Sequence, residues 1–293
     1  MSDTVASLRR KIGGAGDLQS VVRTMKTVAA ASVGQYEQSV SALADFYRAV
    51  ELGLSACFRE SDPAPLMPER KTPGHIGAVV FGSDQGLVGQ FNDVVADYAV
   101  KTLAALAGKR EVWAVGERVH ERLADAGLPL VGLFSVPNSV KAITPLVGRI
   151  LVETEARQVR GEIAELHLFY NRPKSGAYEP VSQRLLPLDE AWRHKLAARP
   201  WPTSSLPEVI GGGIATLGVF LRGYLFVSIF RACAESLASE NASRLAAMQR
   251  ADKNIDELLE DLNQTFHRLR QNGIDEELFD VISGFEALSG KER

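Results

Sequence analysis

From Leu18 to Cys57, apolar or small residues recur at steps of three and four: Leu18, Val22, Met25, Ala29, Ser32 and Tyr36, then Leu43, Phe46 or Tyr47, Val50 and Leu54. That is the period of one face of an α-helix, and no proline interrupts it. The spacing predicts one helix from about Val5 to Cys57, about 80 Å long at 1.5 Å per residue. A helix of that length needs a partner along its stripe. Pro63, Pro65, Pro68 and Pro73 follow. They remove backbone donors and end the helix, so residues 58–75 read as a linker.

The period then changes. Strands are predicted at 76–81, 111–115, 130–136, 165–170 and 178–186, with helices at 92–107, 116–126 and 140–160 between them. This alternation marks a doubly wound, Rossmann-like α/β domain over 76–204, its last two strands forming a hairpin edge. Residues 192–207 contain Pro200, Pro202 and Pro207 and read as a closing loop. Ser205-Leu206-Pro207-Glu208 joins a capping-box pattern to a proline in the first turn, so a helix is expected to start there. An amphipathic pattern then runs through Leu237, Leu245, Met248, Ile255, Leu258, Leu262, Phe266, Leu269, Leu278, Val281 and Phe285. About eighty residues without proline make a rod of about 120 Å. The expected fold is α/β: an N-terminal helix at 1–57 and a C-terminal helix at 205–293 pair as a long antiparallel coiled coil, flanking the Rossmann-like domain in sequence.

Composition changes this picture little. The chain has 293 residues, a formal charge of -3, 24% charged and 45% hydrophobic residues. Those values are ordinary for a soluble protein and argue against nucleic-acid binding or disorder. Cys57 and Cys233 stand far apart in apolar surroundings, without disulfide or metal-ligand spacing, which fits a reducing compartment. Arg9, Arg10 and Lys11 are followed by glycines and polar residues where a signal peptide needs an apolar run. Residues 209–230 are long enough to span a bilayer, yet Arg222 near mid-span costs about 3 kcal/mol and glycines weaken the rest. A helix buried against a domain, with no transmembrane span, is the better reading. Charge is also divided: five basic and two acidic residues in the first 35, against eight basic and thirteen acidic from Arg231 onward. Opposite signs favour pairing of the two helices.

Candidate chemistry is sparse. Gly82-Ser83-Asp84-Gln85-Gly86-Leu87-Val88-Gly89 follows a strand, where a glycine turn can cradle phosphate, but it lacks the lysine and Ser/Thr of a P-loop and the spacing of a dinucleotide fingerprint. It reads as a tight structural turn. His120-Glu121-Arg122-Leu123-Ala124 opens like a zincin motif and ends in alanine where the second histidine must stand. His75, His167, His194 and His267 have no recognisable catalytic partners in sequence. No catalytic residue, cofactor or metal is therefore expected.

Three segments carry a resemblance. Residues 22–31 (Val22-Arg23-Thr24-Met25-Lys26-Thr27-Val28-Ala29-Ala30-Ala31), the turn through Gln90-Phe91-Asn92, and residues 235–248, from Glu235-Ser236-Leu237-Ala238-Ser239-Glu240-Asn241 to Met248, resemble the gamma subunits of F-type ATP synthases. So do Arg270-Gln271-Asn272-Gly273-Ile274 and Ile282-Ser283-Gly284. The resemblance implies a non-catalytic rotor, the central stalk, which couples ion flow through the membrane sector to ATP synthesis or hydrolysis in the head. Its implied partners are the alpha and beta subunits, the epsilon subunit and the membrane c-ring, on the cytoplasmic face of a bacterial membrane. By match to family motifs, Met25, Lys26, Arg244, Arg270 and Gln271 would contact the stator. Val281, Ile282, Phe285 and Leu288 would form the tip in its apolar bearing. Ser32-Val33-Gly34-Gln35, Gln85 and Asn272-Gly273 depart from the family pattern and mark a divergent branch. A small-molecule enzyme built on the Rossmann-like domain and a coiled-coil scaffold stay open as alternatives.

Lacking a P-loop lysine, the isolated chain is expected to hydrolyse no ATP and to bind it negligibly. Equilibrium binding of labelled ATP checks this, and saturable micromolar binding abolished by changing Gly86 would overturn it.

Overall fold

The computed structural model describes residues 4–60, 75–175, 177–188, 190–205 and 213–289, with side chains throughout except at 60, 213–214 and 284–289. In chain order the elements are α1 (Val5–Glu60), β1 (His75–Phe81), α2 (Phe91–Ala104), β2 (Arg110–Val115), α3 (Glu117–Asp125) and β3 (Leu130–Phe134). There follow α4 (Val140–Val159), β4 (Ile163–Lys174), β5 (Ala177–Leu186), α5 (Glu190–Ala197) and α6 (Gly213–Ser289). They form two compact units: residues 1–28 with 245–293, and residues 29–244. Each unit holds a part of α1 and a part of α6.

In the larger unit a five-stranded sheet has the order β3-β2-β1-β4-β5, parallel through β4 and closed by an antiparallel β4–β5 hairpin. This is the doubly wound layer with a hairpin edge that the alternating pattern predicts. Side chains on opposite sides of the pleat feed two cores. Val79, Phe81, Trp113 and Leu168 join Leu54, Ile143, Ile150 and Phe230 on one side; Ala78, Val80, Ala114 and Phe169 join Val95, Ala99 and Leu123 on the other.

Two local readings are corrected. Helix α1 runs on through Glu60, three residues into the stretch read as linker, because tertiary contacts hold its last turn: Phe58 packs edge-on against Trp192, and Arg59 Nε donates to the Ala197 carbonyl at 2.8 Å. The second correction lies in the stretch read as a closing loop, most of whose first part is the short helix α5. Its Trp192 Nε1 donates to the Tyr224 hydroxyl at 3.2 Å. The prolines that suggested a loop all lie beyond its end. Of the expected helix start at 205–208 only Ser205 is described, outside any helix, and the prolines at 63–73 fall outside the described residues.

Burial along α1 follows a stricter rule than steps of three and four. Up to Val50 the buried residues are Leu8, Ala15, Val22, Ala29, Tyr36 and Val50, each spaced by seven or a multiple of seven, and 54–58 are then buried throughout; Leu43 packs partly buried in the same row. A seven-residue repeat is the signature of a coiled-coil seam. It also decides the ambiguous positions: Tyr47 packs inward, while Leu18 and Phe46 face solvent. In the larger unit α1 and α6 run so close that a Cβ on Gly53 would lie 2.3 Å from the Phe220 ring. The apolar run ahead of Arg231 is core here, with Leu217, Tyr224, Val227, Ile229 and Phe230 all buried. By length and composition alone α6 could cross a membrane, but half of its most apolar window is buried.

In the smaller unit Val22, Met248 and Ile255 form the buried seam, with Met25, Ala247, Ala251 and Leu259 packed against it. Leu258, read from sequence as part of the stripe, is 48% exposed, and Leu262 is half-buried. Leu259 takes the seam position because it lies four residues, about one turn, beyond Ile255.

The turn between β1 and α2 depends on close approach at one glycine. A Cβ on Gly82 would lie 2.3 Å from Val119 Cβ and 2.7 Å from Asn92 Oδ1, whereas one on Gly86 would meet nothing within 4 Å. Positive φ falls on Leu87 and Gly89 instead.

Gly82→Ala is expected to cost about 2–3 kcal/mol by overpacking, and Gly86→Ala to change stability by less than about 1 kcal/mol. Denaturant titration of the two variants checks the pair. In the seam, Leu259→Asp should lower the stability of the chain by roughly 2 kcal/mol, while Leu258→Asp stays within about 0.5 kcal/mol. Thermal melts followed by helical ellipticity decide this, and equal effects would show that the seam register is different.

Candidate functional site

The most specific sequence block, 235–248, begins inside the sheet-bearing unit. Ten consecutive residues of α6, Ala232 to Asn241, are buried. A helix enclosed on all faces is normally apolar all round, yet this one carries Glu235, Ser236, Ser239, Glu240 and Asn241. Most of these are bonded to named partners. Glu235 accepts from Arg231 Nε at 2.6 Å and from Arg172 Nε at 3.2 Å. Ser239 Oγ donates to the Asn171 carbonyl at 3.0 Å, and one turn on, Ser243 Oγ donates to the Val88 carbonyl at 2.6 Å. Asn171 Nδ2 in turn donates to the Phe91 carbonyl at 2.9 Å. Two motifs far apart in sequence, the glycine turn and the α6 block, therefore meet. Their residue types are fixed by docking one helix onto one sheet.

Ser236 Oγ has no partner among the described residues, and Glu240, like Glu235, carries a charge inward. Burial pushes its carboxyl above the usual range, while Arg244, donating to Oε1 at 2.6 Å, opposes that shift. Its Oε2 has no partner. Burial, helped by Glu240, also raises the nearby Tyr36 hydroxyl. Arg244, a sequence-predicted contact residue, is thus tied to its own helix, with its side chain 14% exposed.

The glycine turn holds an anion already, the protein's own. Asp84 Oδ1 accepts from Glu117 N, at the first residue of α3, at 3.0 Å, and Oδ2 accepts from Val136 N at 2.9 Å. A helix N-terminus is where a phosphate would bind, and here a carboxylate occupies it. Asn92 closes the other side, accepting from Ser83 N at 2.9 Å and donating to Ser83 Oγ at 2.8 Å. These bonds tie the turn to α3, to the segment after β3 and to α2, which is the work of a structural turn.

In the smaller unit the structure brings Met25 and Lys26 together with residues that sequence reasoning missed. Met25 packs on the seam. Lys26 Nζ lies 2.7 Å from Asp252 Oδ2, and Arg23 Nε lies 3.1 Å from Asp252 Oδ1. Arg23 also reaches Asp256 at 3.5 Å, and Gln19 donates to the same Asp256 carboxylate. The hydrogen bond from Lys26 is the main cause holding the Asp252 carboxyl below its usual range. This ladder runs antiparallel, and it gives atoms to the pairing expected from the opposite charges of the two helices. Asp252 had a legible signal: an acid midway between the seam residues Met248 and Ile255.

Further along α6, Arg270 and Gln271 are exposed, as are Ile274, Leu278, Phe279, Val281 and Ile282. The side chains of Phe285 and Leu288 lie outside the described residues. Of the predicted contact residues Arg244 belongs to the larger unit and the others to the smaller.

Comparison with known proteins supplies what this geometry lacks, a partner set. The family model described as ATP synthase matches residues 4–288. The chain is 27% identical over 306 residues to the ATP synthase gamma chain of Desulforapulum autotrophicum, covering 98% of this chain and 99% of that one. It is 28% identical over 304 residues to that of Chlorobium chlorochromatii, with the same coverage. In fold it is similar to the rotor of the Euglena gracilis mitochondrial ATP synthase, at a TM-score of 0.65 and 15% identity over 92% of this chain and 98% of that one. The central stalk and c-ring structure of Tetrahymena thermophila gives 0.57 and 20% over 79% and 99%. A match that takes in both terminal helices and every strand of the sheet leaves one assignment, and the chain belongs to the ATP synthase family, among its gamma chains.

Proposed function

We propose that this chain turns as the central shaft of an F-type ATP synthase, carrying torque between a membrane ring and the catalytic head while doing no chemistry itself. The observation that carries this reading is the far part of α6. Leu278, Phe279 and Val281 are 56%, 69% and 69% exposed on a helix that continues beyond its seam. Large apolar side chains in such a row need a cover. A sleeve formed by the alpha and beta subunits supplies one, and an apolar bearing slides without hydrogen bonds that must break at each step. Val281 and Ile282, with Phe285 and Leu288, are the residues proposed for it.

Arg270 and Gln271, exposed just before this row, are proposed to meet the inner loops of the head. Met25, Lys26 and Arg244 are proposed to face the moving part of a catalytic subunit, Arg244 through whatever the Glu240 pair leaves free. The sheet-bearing unit is proposed to meet the epsilon subunit and the c-ring. Its described surface includes the exposed Val152 and Val159 of α4. The gamma-chain relatives are bacterial, which supports a peripheral place on the cytoplasmic face of a cell membrane. The domain division proposed here has terminal helices at 1–57 and 205–293 and a Rossmann-like domain at 76–204. The enzyme and scaffold alternatives have no support comparable to a family match over residues 4–288.

Replacing Arg270 and Gln271 together by alanine should leave the helix folded, since alanine is a good helix former and no core volume is removed. Complexes of verified composition are then expected to turn over ATP and pump ions more slowly. Wild-type rates in both assays would show that the pair is merely a solvated surface.

A further inference from the structure

The Arg23–Lys26–Asp252 cluster is more specific than stability requires. The seam beside it is already closed by Val22, Met248 and Ile255. Ion pairs as exposed as these add little to folding, with the Arg23 side chain 56% exposed and Lys26 36%. Asp252 differs from its partners, for its side chain is only 13% exposed and both its oxygens are engaged, one by each cation. Arg23 and Lys26 lie three residues apart on one face of α1, where like charges repel and long side chains sample many rotamers. A half-sunken carboxylate between them removes both problems at once. It fixes the direction of two cations that would otherwise be loose.

We propose that Asp252 is a positioning residue for the contact this chain makes through Lys26 and Arg23 with an acidic surface of the encircling head. The inference rests on the shaft reading above. A cation held in place before contact loses less conformational freedom on meeting its partner, so the contact forms at a defined rotor angle. The carboxylate accepts hydrogen bonds and exchanges no proton or bond. Asp256, 3.5 Å from Arg23, adds a second acceptor on the outer side of the guanidinium and does not reach Lys26.

The test is a double-mutant cycle read as steady-state ATPase turnover of purified complexes, with the melting of the chain measured alongside. Asp252→Asn keeps the side-chain shape and removes the charge. It should lower turnover about threefold or more while shifting the melt little. Lys26→Ala in the Asp252→Asn background should add little to that loss, and Asp252→Glu should recover most of it. Wild-type turnover in Asp252→Asn overturns the proposal. So do losses from Asp252→Asn and Lys26→Ala that simply multiply, or a turnover loss that follows the melt and is not recovered by glutamate. The shaft reading is scored separately on the unmutated chain. Failure of wild-type chain to assemble with head subunits overturns that reading, and the positioning role with it.

Discussion

The structure depends on a buried stretch of helix that is not apolar. Between Ala232 and Asn241, α6 is enclosed by the sheet-bearing unit, and each polar group taken there without a partner would cost about 1–3 kcal/mol. Glu235, Ser239 and, just beyond, Ser243 answer this by bonding to Arg172, Asn171 and Val88, three points on the sheet and its first turn. Apolar packing alone would let a helix roll or slide against a sheet. Directional bonds to fixed backbone carbonyls do not. The stretch therefore sets both the depth and the rotation of α6 within this unit.

A single helix then serves two kinds of neighbour in succession. Through residues 213–244 it is part of a mixed α/β core; from 245 onward it is one strand of a two-helix seam in which Met25, Met248, Ile255 and Leu259 stand beside alanines such as Ala247 and Ala251. That apolar seam closes the pairing, and the Arg23, Lys26 and Gln19 ladder gives direction to the charged side chains beside it. Burial stabilises the first region and charge arranges the second. Salt should therefore weaken the second more than the first.

Much of this was legible in the sequence, for physical reasons that can be named. The five strands and their order of type followed from the change of period, because a strand buried on both faces reads as a short apolar run bounded by glycine and charge. The register of the seam was less legible. Leu18 and Phe46 satisfy a three-four pattern as well as Ala15 and Tyr47 do, and only the partner helix distinguishes them. Leu258 and Leu259 are adjacent leucines, and nothing local says which one faces inward. Helix α5 and the last turn of α1 were hidden for another reason. Each is held by the other, through Phe58 on Trp192 and Arg59 on Ala197, a contact between residues more than a hundred positions apart. The contact residues were named from family motifs alone, and the carboxylate that orders two of the cations was missed, since its place between Met248 and Ile255 tells it from a solvated charge only once the seam register is known.

The glycine at 53 has a mechanical consequence. Two helices wound about each other turn twist into lengthwise slip, each advancing along the other as the pair is wrung. Where Phe220 sits against a helix surface bare of side chain, the ring is seated in a notch, in the space that a side chain at 53 would take. Such a notch acts as a key in a keyway. It lets the paired helices bend together but denies them the small axial play through which a wrung two-stranded cord loses motion.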